Sequence, residues 1–221
     1  MDLFLTGLSG LAWTIVYAES IRIGFRYRTY AVPAAALGLN FAWEWIYAIH
    51  DLASGHSGLQ GYINLVWALA DVAVLYTFLR FGRRELPPFL NRTLFALWAV
   101  ALVGAGFAVQ FLFIGAFGLG PGTGAAQYSA FLQNLLMSGL FIAMFAARRG
   151  PRGQSLLIAV AKWLGTLAPT LLFGALGHSP FVLGIGLLCS VFDLAYIGLL
   201  LWARLRPGTF GPDARSTLPA R

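Results

Sequence analysis

"AQYSAFLQNLLMSGLFIAMFAARRGPRG" (residues 126–153) is an apolar run that stops abruptly at three arginines. Coiled into a helix, residues 126–147 are long enough to cross a bilayer, which takes ~20 residues. Arg148, Arg149 and Arg152, spaced by Gly150 and Pro151, supply both the turn and the charge that end it. Outward from this segment, six more apolar stretches lie at 3–21, 30–50, 62–81, 93–117, 155–176 and 180–203. Across the 221 residues, 59% are hydrophobic and only 10% charged; a soluble domain carries about 25% charged residues. The expected fold is all-α, a seven-transmembrane-helix bundle. Residues 1–206 form its single domain, and 207–221 are expected to be a disordered cytoplasmic tail.

The arginines orient the bundle. Arg22, Arg26 and Arg28 lie in the first connection; Arg80, Arg83, Arg84 and Arg92 lie at or near the third. The fifth holds Arg148, Arg149 and Arg152, and the tail region Arg204, Arg206, Arg215 and Arg221. Connections two, four and six contain no Lys or Arg. By the positive-inside rule the N-terminus is outside and the C-terminus cytoplasmic. The net charge of +7 is thus a topology signal, and no basic patch joins a nucleic-acid-binding module. The first stretch lacks the basic start and small-residue cleavage site of a signal peptide. One cysteine, Cys189, excludes a disulfide framework and a cysteine metal cluster. Arginine outnumbers lysine fourteen to one, and alanine and glycine are abundant, which suggests a high-GC bacterial genome and a bacterial cytoplasmic membrane.

Glu44, Asp71, Lys162 and Asp193 sit well inside the expected helices. A charge near the bilayer centre costs about 2.5–3.5 kcal/mol even on insertion scales, so such residues face the bundle interior and are functional candidates. Structural ion pairs between helices are the plainer alternative. On helix two, Asn40, Glu44 and Tyr47 share a face; on helix three, Asn64, Trp67 and Asp71 repeat the spacing. Helix seven aligns Cys189, Asp193 and Tyr196, with Gly186 one turn earlier; helix five adds Gln133 and Asn134, and helix four Gln110. The result is a polar pocket with aromatic walls. Trp43, Trp67 and Trp163 lie deep enough to stabilise a cation through the ring quadrupole, worth up to ~2 kcal/mol without water, although Trp43 and Trp45 cannot both share the face of Glu44. His50, His56 and His178 fall at or beyond helix ends on the outer side without metal-ligand spacing. No nucleophile elbow, phosphate loop or aspartate-rich magnesium-diphosphate motif is present, and neither metal nor cofactor is implied.

"ALGLNFAWEWIYAI", "WALADVAVLYTFLRFG", "KWLGT" and "CSVFDLAYIGLL", together with the opening segment, occur in order through most of the chain. In this sequence and spacing they resemble the integral-membrane terpene cyclases of meroterpenoid and indole-diterpene biosynthesis. The resemblance implies protonation of the epoxide or terminal alkene of a lipophilic prenylated substrate, followed by ring closure of the polyene cation. It implies two essential acids, Glu44 in the helix-two "WE" motif and Asp193 in the helix-seven "FD" motif, with Asp71 matching an aspartate on helix three. It also implies an upstream prenyltransferase in the pathway. In a bacterial member, direct alkene protonation of a farnesylated indole is the expected variant.

The chemistry suits the residues independently of the resemblance. A non-ionising, metal-independent cyclase needs a carboxylic acid that is neutral at physiological pH, and low dielectric favours the neutral form. A second carboxyl separates the acid and hydrogen-bonding roles, and water exclusion protects the cation. Either Glu44 or Asp193 is then the immediate donor, with Asp71 shaping the pocket assisted by Asn40 and Asn64. A proton-coupled transporter is the alternative for buried carboxylates, but no clear internal repeat or matched pair of broken helices accompanies them. A retinal Schiff base would need lysine on the last helix, whereas Lys162 is on the sixth. It is expected either to snorkel to the cytoplasmic interface or to pair with a carboxylate. Prenyl length, head group and product stereochemistry stay open.

Overall fold

A computed structural model describes residues 2–54, 59–120 and 124–210. Seven long helices carry the described chain, which contains no strand: α1 (Asp2–Tyr27), α2 (Ala34–Ala53), α3 (Leu59–Phe81), α4 (Arg92–Phe117), α5 (Ala125–Ala147), α6 (Leu156–Pro169) and α7 (Pro180–Leu205). Local chemistry sets their ends. Asn91, Ser155 and Ser179 cap α4, α6 and α7 by accepting from the backbone N–H of Leu94, Leu157 and Val182. Gly118 closes α4 at φ 82°, a conformation open to glycine at little cost.

Three ends use a non-glycine residue in the left-handed region: Arg28, Arg149 and His178, each at φ 52–53°. Each is followed by the N–H-to-carbonyl closure of a Schellman turn: Thr29 to Gly24, Gly150 to Phe145, Ser179 to Gly174.

The end of α1 and the start of α2 differ from the sequence expectation by four residues or more, and the end of α2 and the start of α3 each extend it by three. Helix α1 continues to Tyr27, because Arg22 turns back onto Glu19 (2.5 Å) instead of breaking the helix. Helix α2 starts at Ala34, since Pro33 disfavours helical geometry at the residue before it. In the sixth apolar stretch Pro169 removes a backbone donor, and the helix widens into a π segment over Thr170–Leu176.

Among the described residues, five segments are long and apolar enough to cross a membrane: Gly61–Glu85, Arg92–Phe117, Ala125–Ala147, Leu156–Leu176 and Pro180–Leu205. The helices close a ring in which α1 packs on α3 and α6, α3 on α2, α2 on α5, α5 on α7 and α7 on α6. Helix α4 lies outside the ring against α2 and α5. Its approach to α2 is close because Gly38 and Gly106 face each other: a Cβ on Gly38 would lie 2.7 Å from the Leu102 carbonyl oxygen.

The first, third and fifth connections converge at one end. There Glu85 is buried beside Arg148 (3.0 Å) and Arg152 (3.8 Å) and accepts from Thr29, while Arg148 donates to the Tyr30 carbonyl (3.0 Å). At the opposite end Tyr128 meets Phe117 and Phe181 edge-on, joining the starts of α5 and α7 to the end of α4. Beyond α7, Phe210 packs against Phe145 and Trp202. The tail expected to be disordered over 207–221 instead starts with a 3-10 turn at Pro207–Thr209, held by the Phe210 contacts; its remainder from 211, with Arg215 and Arg221, and the His56 loop lie outside the described residues.

Candidate active site

The ring encloses a cavity of about 1090 Å³ that opens toward the end opposite the arginine cluster. One face of α2 supplies a wall: Asn40, Glu44, Tyr47 and Asp51 follow one another at helical spacing, and all four line it. Gln133 and Asn134 face them from α5, Asn64 and Trp67 from α3, and Trp13 and Thr14 from α1. Helix α7 contributes no lining residue among those described.

Hydrogen bonds fix the deep end. Tyr17, on α1, donates to Glu44 Oε1 (3.1 Å). Asn40 Nδ2 donates to Tyr17 Oη (2.7 Å) and to Asp71 Oδ2 (2.8 Å), while Asn40 Oδ1 accepts from Gln133 (3.4 Å). Gln133 in turn accepts from Gln110 (3.1 Å). The network joins α1, α2, α3, α4 and α5 around two carboxyl groups, Glu44 at 4% exposure and Asp71 at 2%.

Donor accounting then distinguishes the two carboxyl oxygens. Both Nδ2 hydrogens of Asn40 are used, and the Tyr17 hydroxyl has a single hydrogen, given to Glu44 Oε1. With Oε1 accepting from Tyr17, Oε2 is the carboxyl oxygen left to donate a proton. Oε2 has no protein hydrogen-bond partner among the described residues.

Asp193 lies elsewhere. Its two oxygens accept from Lys162 Nζ at 2.9 and 3.0 Å, and Lys162 also donates to Ser138 (2.7 Å). Lys162 and Asp193 are both buried, off the cavity wall, and tie α7 to α5 and α6. Of the two readings for Lys162, pairing with a carboxylate is the one observed.

The sequence-derived residues therefore divide. Glu44, Asn40, Tyr47, Asn64, Gln133, Asn134, Trp43 and Trp67 reach the cavity, and Asp71 stands directly behind it. Trp43 packs on Tyr47 (4.9 Å) and donates to the Ala126 carbonyl; Trp67 donates to Thr14. Trp163 is off the wall, and Tyr196 stacks on Phe141 beside the Asp193 pair. Asn64 bonds Asp51 (3.3 Å) instead of joining Asp71.

Sequence reasoning missed Tyr17 and Asp51. Tyr17 sits mid-helix in "TIVYAES" with no acid at helical spacing to flag it, and its partners come from α2. Asp51 was legible in principle, because it extends the Asn40–Glu44–Tyr47 face by one turn.

The sequence profile of the Pyr4-like transmembrane terpene cyclases matches residues 1–205. The chain belongs to this family. Among its relatives, terpene cyclase pyr4 of Aspergillus fumigatus is 28% identical over 205 residues, 86% of this chain and 82% of that protein. Terpene cyclase dpchB of Colletotrichum higginsianum is 31% identical over 162 residues, 72% of this chain and 64% of the relative. Terpene cyclase ascF of Acremonium egyptiacum is 29% identical over 171 residues, covering 72% and 61%. The chain thus spans under two thirds of the latter two. No solved structure matches. With five apolar spanning-length segments and membership of a transmembrane cyclase family, the chain is an integral membrane protein.

Proposed function

We propose that this protein is a membrane-bound terpene cyclase in which Glu44 protonates the terminal alkene or epoxide of a prenylated aromatic substrate. The observation that carries this reading is the Glu44 carboxyl on the cavity wall, its Oε1 held by Tyr17 and its buried Oε2 without a hydrogen-bond partner among the described residues. A carboxyl so held is oriented before the substrate arrives. Proton transfer from Oε2 to the alkene leaves a tertiary cation. Successive double bonds of the prenyl chain attack it, each ring closure moving the cation onward, and loss of a proton from the last cation balances the one consumed.

Trp43, Trp67 and Tyr47 offer π faces along the way, and the buried network keeps Asp71 bonded beside the acid. Asp193 acts indirectly in this proposal. Its pair with Lys162 fixes α7 against the α5 and α6 walls, so Glu44 is the immediate donor. No protein metal enters the scheme.

All seven helices cross the bilayer in this reading, with the cavity mouth on the outer side and the arginine-rich connections cytoplasmic, in a bacterial cytoplasmic membrane. A prenyl-transfer reaction must supply the substrate. The alternative of proton-coupled transport has no observation in its favour beyond the buried carboxyls.

Membranes carrying the protein, incubated in deuterated water with farnesylated indoles and phenols with and without a terminal epoxide, provide the test. A cyclised isomer with one carbon-bound deuterium is the outcome expected for alkene protonation. Cyclisation of epoxides alone, without that label, would assign the proton to the epoxide oxygen. No conversion of any substrate would overturn the reading.

A further inference from the structure

Beyond Glu44, the same cavity has a second polar end, at Asp51 and Asn64. We propose that Asp51 and Asn64 form a head-group subsite that accepts a hydrogen bond from an N–H or O–H of the substrate's aromatic ring system. The inference rests on the cyclase reading and extends it to substrate selection.

Asp51 and Glu44 lie on the same face of α2 and both line the cavity. Seven residues of helix separate them, about 10 Å along the axis. Asp51 is nearer the mouth and Glu44 deeper. A substrate protonated at the end of its prenyl chain must insert that end toward Glu44, which leaves the aromatic head beside Asp51.

The carboxyl there is already oriented. Oδ2 accepts from Asn64 across the α2–α3 contact (3.3 Å), and Oδ1 faces His50 Nδ1 at 3.7 Å, beyond hydrogen-bond range. Carboxyl oxygens are hydrogen-bond acceptors. The subsite therefore favours a head that carries a donor and disfavours one whose donor is methylated. At 37% side-chain exposure, Asp51 is open enough to be reached from the cavity.

Binding and turnover are measured separately so that the two readings fail differently. A 3-farnesylindole and its N-methyl counterpart serve as probes. Affinity is read from tryptophan fluorescence in detergent and turnover from product mass. Wild-type protein is expected to bind the free indole about tenfold or more tightly than the N-methyl analogue, the scale of a hydrogen bond to a charged group. Asp51→Leu should bind both equally, at the weaker affinity, with an unchanged unfolding temperature. The isosteric Asp51→Asn should give an intermediate preference while retaining the bond to Asn64.

Binding with that pattern but no turnover, here and across the epoxide and phenol panel, would sink the cyclase reading and leave the subsite standing. Turnover with the preference intact in Asp51→Leu would overturn the subsite and leave the cyclase. Equal binding of both probes by wild-type protein, or binding of neither, would also overturn it.

Discussion

At the scale of single residues, the site depends on which side chains hold which. Glu44→Gln keeps the shape of the acid and removes its proton. It should lower product formation about 10²–10⁴-fold, the usual contribution of a general acid, while circular dichroism stays unchanged. Tyr17→Phe removes the only hydrogen bond given to Glu44 Oε1 among the described residues. Its expected effect is about a tenfold fall in kcat with KM little altered, the pattern for an interaction that matters at the transition state. The Lys162–Asp193 pair tests differently. Lys162→Met leaves Asp193 buried without its cation, and breaking such a pair costs about 3–5 kcal/mol. Lys162→Met with Asp193→Leu should recover most of that stability in chemical unfolding without restoring activity to the wild-type level. Equal stability of wild type and the single variant would show that the pair does not hold α7.

At the scale of elements, backbone approach and helix ends carry the constraints. A side chain at Gly106 would collide with the Gly38 carbonyl on α2, and backbone cannot yield as a flexible side chain can. Gly106→Val should therefore push α4 off α2, lowering the unfolding temperature and the amount of folded protein recovered. His178 holds a left-handed conformation at the turn into α7 (φ 53°). Glycine adopts it without the Cβ penalty, so His178→Gly should stabilise by about 1 kcal/mol. A fall in thermal stability would mean that the imidazole contributes more than the backbone conformation costs.

At the scale of the whole molecule, the proposed seven crossings and the charge distribution make a prediction about sides. Cysteines placed singly at Arg149 and at Gln127, in a Cys189→Ala background, should react with a membrane-impermeant maleimide from opposite faces. Arg149 should label only in inverted vesicles, and Gln127 only in intact cells. Labelling of both from the same face would break the alternation. The connections that share the arginines do meet in the structure, since Glu85 of the third gathers Thr29 from the first and Arg148 and Arg152 from the fifth.

Apolar length and turn residues determined the helical architecture, because bilayer thickness and backbone breakers act on sequence-local features. The α2 face was likewise readable, since Asn40, Glu44 and Tyr47 are ordered by helical geometry alone. Sequence spacing could not decide which acid meets which donor. Tyr17 reaches Glu44 across 27 positions, and Lys162 reaches Asp193 across 31. Those pairings arise only when the ring closes and buried polar groups must find partners. The same closure leaves Glu44 on the cavity wall and Asp193 behind it, although both stood in the sequence as acids within apolar helices. Helical periodicity sets the direction of a side chain around its own axis; the neighbour it meets depends on packing between helices far apart in the chain.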